Sequence, residues 1–170
     1  LVEVSGRSGS VHNAGQLAAA VAALPRTRTA PLVLLGYSKG LSDILHFLVE
    51  HPQPAQRVAA VIGVSGSVMG SPLADRYEGF YDLWLAELEL EGCPPGDGRL
   101  LQSLTRRERS GWLAAQRLPT HVRYFSLASF TQRERMGPLQ WFGRDRLSQI
   151  NPRNDGQLLF HDQIIPGSTL

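Results

Sequence analysis

The chain has 170 residues, of which 42% are hydrophobic and 19% are charged. This composition is typical of a globular protein and excludes a disordered or low-complexity chain. The formal net charge of +2 is too small to favour nucleic acid or an anionic membrane as a partner.

The first part of the chain alternates between strand and helix patterns. Residues 1–5 (LVEVS) predict a strand, and the alanine- and leucine-rich residues 13–24 predict a helix. The continuous apolar run 32–35 predicts a strand covered on both faces, and apolar positions within 41–48 then predict an amphipathic helix. The run VAAVIGV, residues 58–64, predicts another buried strand. Because short links join these elements, the sequence predicts an α/β fold with a mostly parallel sheet and flanking helices.

Residues 71–120 interrupt this alternation with more charged and turn-forming residues. Thr105–Glu108 has the spacing of a capping box, which predicts the start of a helix. Aromatic and leucine side chains from Tyr77 to Leu88 recur at helical spacing, which predicts a helix that packs on the domain or forms a lid or acyl-pocket wall. Strand character returns at 123–129 (RYFSLAS), and a helix is predicted around 137–147. The sequence therefore predicts a single α/β domain, covering residues 1–170, with a mainly helical cap insertion around 71–120.

The motif Gly36-Tyr37-Ser38-Lys39-Gly40 lies between a predicted strand and a predicted helix. A tight turn there projects the serine hydroxyl above the carboxyl edge of the sheet, where ligands of α/β proteins bind. This strained turn requires residues without a bulky side chain two positions before and after the serine, and we expect Gly36 and Gly40 to meet that requirement. The backbone N–H of Lys39 would begin the helix and could stabilise an oxyanion. The motif predicts Ser38 as a nucleophile, the alternative being an idle serine in a glycine-flanked turn.

With this motif the chain resembles the α/β-hydrolase superfamily, and most strongly its bacterial lipase- and esterase-like members. The stretch LVLLGYSKG is similar to their nucleophile elbow. In that family the catalytic acid follows a later strand, often in an Asn-Asp-Gly turn, and NPRNDGQ supplies such a turn after RYFSLAS. The resemblance implies that Asp155 is the acid of a Ser-Asp-His triad. The alternative for Asp155 is an ordinary Asx turn.

No histidine of the chain has the position that this family pattern requires for the base. His161 has the right order but lies only six residues beyond Asp155, and His12 lies at the right edge of the sheet but out of order. The family pattern places the base after one more strand, and it places the second oxyanion donor one strand earlier than residue 1. We therefore expect a partial hydrolase domain that lacks the N-terminal strands and the C-terminal histidine segment. Alone, it is expected to hydrolyse little or nothing.

These residues predict a serine hydrolase that cleaves a carboxylic ester, lipid esters included, through an acyl-enzyme on Ser38. An acyltransferase or thioesterase would use the same triad, and a non-catalytic α/β-hydrolase-like binding module would keep the turn without a complete triad. The expected partner is a small-molecule ester or lipid. No cofactor or metal is expected, because no metal-ligand spacing or phosphate loop occurs. No transmembrane segment is expected, and the basic run 105–109 (TRRER) is interpreted as a solvated helix face and not as a nucleic-acid site.

Overall fold

A computed structural model of the chain describes residues 1–25, 30–84 and 96–170. Its strands are β1 (Leu32–Tyr37), β2 (Val58–Val64) and β3 (Arg123–Leu127). Its α-helices are α1 (Ser10–Ala22), α2 (Lys39–Glu50), α3 (Pro52–Ala55), α4 (Pro72–Trp84), α5 (Arg106–Ala115) and α6 (Pro138–Ser148). Short 3-10 helices cover Gln102–Leu104, Arg133–Arg135 and Phe160–Gln163.

The three strands form one parallel sheet in the order β1-β2-β3. In its register Tyr37 lies opposite Val64, and Val64 lies opposite Leu127. All three strands therefore end at the same edge of the sheet, and the residues that follow them are brought together there. Helices connect and flank the strands, so the predicted α/β architecture with a mostly parallel sheet is confirmed.

Helices α1 and α2 supply most of the apolar core on one face of the sheet. The buried apolar side chains of these two helices include Ala14, Leu17, Val21, Leu41, Ile44, Leu45, Phe47 and Leu48. They pack against Val58 and Val61 of β2. Each fully buried leucine or phenylalanine contributes roughly 1.5–3 kcal/mol, so this layer holds α2 firmly against the strands.

Two expectations about the strands are wrong. Residues 1–5 have no regular secondary structure, because a strand needs a ladder partner and no described strand pairs with them. The backbone N–H of Ser5 donates instead to Gln16 Oε1 at 3.0 Å. Strand β1 is not covered on both faces by described residues, since Val33, Leu35 and Tyr37 are 59%, 63% and 67% exposed. Only the face of β1 toward the helices is packed.

Between β2 and β3, the described residues form helices joined by irregular stretches. These helices include α4, the 3-10 helix Gln102–Leu104 and α5. The predicted cap of α5 is present, with Thr105 Oγ1 accepting a hydrogen bond from the Glu108 N–H at 3.2 Å. Residues 85–88, which hold Leu85 and Leu88 at the end of the predicted aromatic and leucine stripe, lie outside the described residues.

The prediction of a solvated face for residues 105–109 is wrong at Arg109. Arg107 is exposed, but Arg109 is completely buried. Its Nε donates to the carbonyl of Val68 at 3.1 Å, and its guanidinium lies 4.9 Å from the centre of the Trp112 ring. Burial lowers the pKa of Arg109 to about 10. This arginine therefore fastens α5 to the turn that follows β2.

Candidate active site

Ser38 forms the whole link between β1, which ends at Tyr37, and α2, which begins at Lys39. Its backbone has φ 50° and ψ −124°, a conformation that residues with a side chain rarely adopt. The Ser38 N–H donates to Val64 O at 3.1 Å, and its carbonyl accepts from the N–H groups of Leu41 and Ser67. The surrounding backbone therefore holds a strained serine at the carboxyl edge of the sheet, which is where reactive residues are often found.

The two glycines of the motif have different structural roles. A Cβ added at Gly36 would lie 2.6 Å from the Cα of Leu41 and 2.9 Å from Ile44 Cδ1. A Cβ added at Gly40 would meet no atom within 4 Å. The expectation that both glycines must lack bulk is therefore correct for Gly36 and wrong for Gly40. Gly36 is needed because the first turn of α2 lies directly against the end of β1.

Lys39 contributes a backbone N–H and a tethered side chain. As the first residue of α2, it has one of the backbone N–H groups that donate to no carbonyl within the helix. Its Nζ is 2.7 Å from Asp43 Oδ1, which is the pairing expected for two helical residues four apart. Asp43 Oδ2 accepts a second hydrogen bond from Asn13 Nδ2 at 2.8 Å. The lysine ammonium is thus held by a carboxylate that also binds Asn13 of α1.

A cavity of about 210 Å³ lies over the turn, with Ser38 in its wall. Its remaining wall is mostly apolar and comes from α4, from the stretch before α5 and from the turn after Asp155. The lining residues are Ser67, Ser71, Leu73, Ala74, Tyr77, Leu101, Leu104, Gln157 and Leu158. A largely apolar pocket with a few polar groups at one end is typical of a small-molecule site.

Asp155 lies in the predicted Asn-Asp-Gly turn, and its carboxylate accepts hydrogen bonds at both oxygens. Oδ1 accepts from the backbone N–H groups of Gln157 at 2.9 Å and Leu158 at 2.7 Å. Oδ2 accepts from Gln163 Nε2 at 3.3 Å and from Ser129 Oγ at 3.4 Å. The residue after it, Gly156, has φ 89°, which explains the glycine at this position.

The structure brings Ser38 and the Asp155 turn to one edge of the sheet. Ser65 follows β2 directly, and its hydroxyl lies 2.7 Å from that of Ser129, which follows β3. Ser129 in turn contacts Asp155. Gln157 and Leu158, which follow Asp155, line the same cavity as Ser38. Ser38 and the two residues that follow Gly156 therefore line one cavity.

None of the five histidines, all of which the structure describes, forms a hydrogen bond with Ser38 or Asp155. His161 pairs with Asp162 at 3.4 Å and is exposed, and His12 is an exposed residue of α1. His46 is buried and stacks on Trp112 with ring centres 4.0 Å apart. Desolvation by burial lowers the pKa of His46, although its Nδ1 lies 2.5 Å from Glu50 Oε1, a contact that acts in the opposite direction. The two other histidines are His51 at the end of α2 and His121, whose Nε2 lies 3.3 Å from Ala55 O.

The side chains that hold Asp155 could not be identified from the sequence. Ser129 is the last residue of the predicted strand 123–129, whereas β3 ends at Leu127. Gln163 belongs to the 3-10 helix Phe160–Gln163 and is almost completely buried. In LLFHDQII, Gln163 follows two other polar residues between apolar ones, and that pattern does not specify a partner.

In the ranges that the structure describes, no three histidine, cysteine, aspartate or glutamate side chains are grouped so that they could hold a metal ion. No helix in these ranges is long and apolar enough to cross a membrane.

No protein-family model and no curated protein matches the chain. Among solved structures, the metagenomic carboxyl esterase MGS0156 matches with a TM-score of 0.94 and 41% identity, over 100% of this chain and 51% of that one. The lipase BlEst2 of Bacillus licheniformis, in its mature form, matches with a TM-score of 0.75 and 23% identity, over 95% of this chain and 64% of the lipase. This chain spans about half the length of the esterase. It therefore has the α/β-hydrolase-like fold of esterases and lipases.

Proposed function

We propose that this chain carries the nucleophile and the acid of a serine hydrolase that cleaves carboxylic esters. The observation that carries the proposal is the strained Ser38 at the carboxyl edge of the sheet, open to an apolar cavity that the Asp155 turn also lines. The similarity to a carboxyl esterase at 41% identity supports the same reaction class.

In the proposed reaction, Ser38 Oγ attacks the ester carbonyl carbon while a histidine accepts the hydroxyl proton. The Lys39 backbone N–H stabilises the resulting oxyanion, and Asp155 orients the imidazole. The histidine then returns its proton to the departing alcohol, leaving an acyl group on Ser38. Water hydrolyses this acyl-enzyme by the reverse sequence of proton transfers and releases the carboxylic acid. The base in this scheme is a histidine that reaches both Ser38 and Asp155, and none of the five histidines described forms a hydrogen bond with either residue.

The cavity over Ser38 is lined mostly by apolar side chains and is open to solvent, so it offers a contact surface for an apolar group next to the ester carbonyl. We therefore infer that the substrates are esters with an apolar group, and the proposed chemistry requires no cofactor.

The test is labelling of the protein, expressed from its complete reading frame, with a fluorophosphonate, which reacts with activated serines. We expect labelling of the wild type and hydrolysis of p-nitrophenyl esters, and loss of both in Ser38→Ala. The variant Ser110→Ala, on α5, is the matched control and should behave as the wild type. Labelling that persists in Ser38→Ala would exclude Ser38 as the nucleophile.

The lack of a contacting histidine also supports a second candidate, a non-catalytic binding module that uses the same cavity. A folded protein that is not labelled but binds an apolar ester, measured by calorimetry, would favour this module over the enzyme.

A further inference from the structure

Gln163 makes contacts that connect the end of β3 to the carboxylate of Asp155. The side chain is 1% exposed and lies at the end of the 3-10 helix Phe160–Gln163. Its Oε1 accepts from the Ser129 N–H at 2.7 Å, and its Nε2 donates to the Ser129 carbonyl at 2.9 Å. The amide thus pairs with both backbone groups of Ser129, as a neighbouring strand would do.

These two bonds fix the orientation of the amide. Because Oε1 faces a backbone donor, Nε2 must occupy the other side, where its remaining hydrogen points at Asp155 Oδ2, 3.3 Å away. Rotation of the amide would break both bonds to Ser129 inside the protein, where an unpaired polar group costs roughly 1–3 kcal/mol. Gln163 is therefore a constant donor to Asp155.

The second donor to Oδ2 is not constant. Ser129 Oγ lies 3.4 Å from Asp155 Oδ2 but only 2.7 Å from Ser65 Oγ, and a hydroxyl has one proton to donate. When that proton goes to Ser65, Oδ2 has a free lone pair for another donor. Oδ1 is less available to a further donor, since it already accepts from two backbone N–H groups at 2.7 and 2.9 Å.

We propose that Gln163 is a positioning residue that holds the Asp155 carboxylate in the orientation needed to receive a histidine N–H at Oδ2. This inference rests on the proposed function, because it requires Asp155 to be the acid of a triad. Gln163 does not line the cavity over Ser38, so its effect falls on the chemical step and not on substrate binding.

The experiment compares Gln163→Glu with the wild type, using the complete reading frame and a p-nitrophenyl ester between pH 6 and 8. The variant keeps the shape of the side chain but replaces the donor with a carboxyl group next to Asp155. Burial and the neighbouring charge raise the pKa of such a group. At pH 8 we expect kcat to fall about 10- to 100-fold, the range that a small misplacement of a catalytic group produces. We expect KM to stay within about twofold.

The loss should become smaller toward pH 6, because the protonated carboxyl group has one O–H to donate and the charged Asp155 carboxylate is a stronger acceptor than the Ser129 carbonyl. The control Gln132→Glu makes the same charge change at an exposed residue. The ratio of its kcat to that of the wild type should not change with pH. Gln163→Asn retains an amide that is too short to reach both Ser129 and Asp155, so it should lose kcat at every pH. If Gln163→Glu does not fold, the split between kcat and KM in Gln163→Asn provides the test.

Two results would overturn the inference while leaving the proposed function intact. One is wild-type kcat in folded Gln163→Asn or Gln163→Glu, and the other is a loss in Gln163→Glu that does not change with pH. A folded wild-type protein that is neither labelled by the fluorophosphonate nor active would instead overturn the proposed function, and this inference with it.

Discussion

Substitution of the two glycines that flank Ser38 tests the packing of the turn. In Gly36→Ala the new Cβ would lie 2.6 Å from the Leu41 Cα and 2.8 Å from its N, both backbone atoms that cannot rotate away. Overpacking of a core typically costs 1–3 kcal/mol, and a clash with the backbone belongs at the upper end, at about 3 kcal/mol. In Gly40→Ala the Cβ meets no atom within 4 Å, and alanine is a better helix former. That variant should therefore gain about 0.5 kcal/mol.

The assay is thermal and urea unfolding of both variants beside the wild type. For a domain of this size, 1 kcal/mol corresponds to about 2–4 °C, so Gly36→Ala should lower Tm by roughly 6–12 °C. Gly40→Ala should raise Tm by about 1–2 °C. Equal stability of the two variants would refute the conclusion that α2 lies against the end of β1 at Gly36. A loss of stability in Gly40→Ala would show that this position is not open.

Two further predictions concern the cavity and a buried histidine. Tyr77→Ala should enlarge the 210 Å³ cavity and shift the preference for p-nitrophenyl esters toward longer acyl chains, while Tyr77→Phe should keep the wild-type preference. An unchanged preference in Tyr77→Ala, with only lower stability, would exclude the cavity as the site of the acyl group. Because burial lowers the pKa of His46, the unfolded chain binds a proton more readily below pH 6.5, and stability falls with decreasing pH. The variant His46→Phe keeps a ring against Trp112 but cannot bind a proton. In urea unfolding, its free energy of unfolding should fall less between pH 8 and pH 5 than that of the wild type. Equal losses in the two proteins would show that His46 does not cause the pH dependence.

Much of the secondary structure could be predicted because it depends on short stretches of sequence. The strand at residues 58–64 was predicted with its observed bounds, since an uninterrupted apolar run with β-branched residues needs no distant information. The turn at Ser38 was predicted from the change between strand and helix periodicity across two glycines. The cap at Thr105 was likewise predicted from a spacing of three residues.

Other features depended on contacts that a local pattern does not contain. Residues 1–5 have a strand-like sequence but no strand beside them among the described residues, and strand geometry requires a partner. Arg109 has the sequence context of a solvated helix, but the packing of α5 buries it beneath Trp112 and beside Val68. The family resemblance identified Asp155 as a candidate acid, but it did not indicate that Gln163, in a separate element, holds its carboxylate.

The sequence by itself determined the parallel α/β plan and the candidate nucleophile, because strand and helix periodicity and the glycine-flanked turn are encoded within about ten residues. Only the tertiary structure decided which groups surround that nucleophile. Gly36 and Gly40 are equivalent in the motif, and they differ because Leu41 and Ile44 of α2 pack against Gly36 and no described residue packs that closely against Gly40. Gln163 and Ser129 are 34 residues apart and meet because the 3-10 helix Phe160–Gln163 lies at the edge where β3 ends. Hydrogen bonds and close packing act between atoms that are neighbours in space, and the positions of those atoms follow from the assembly of the whole fold.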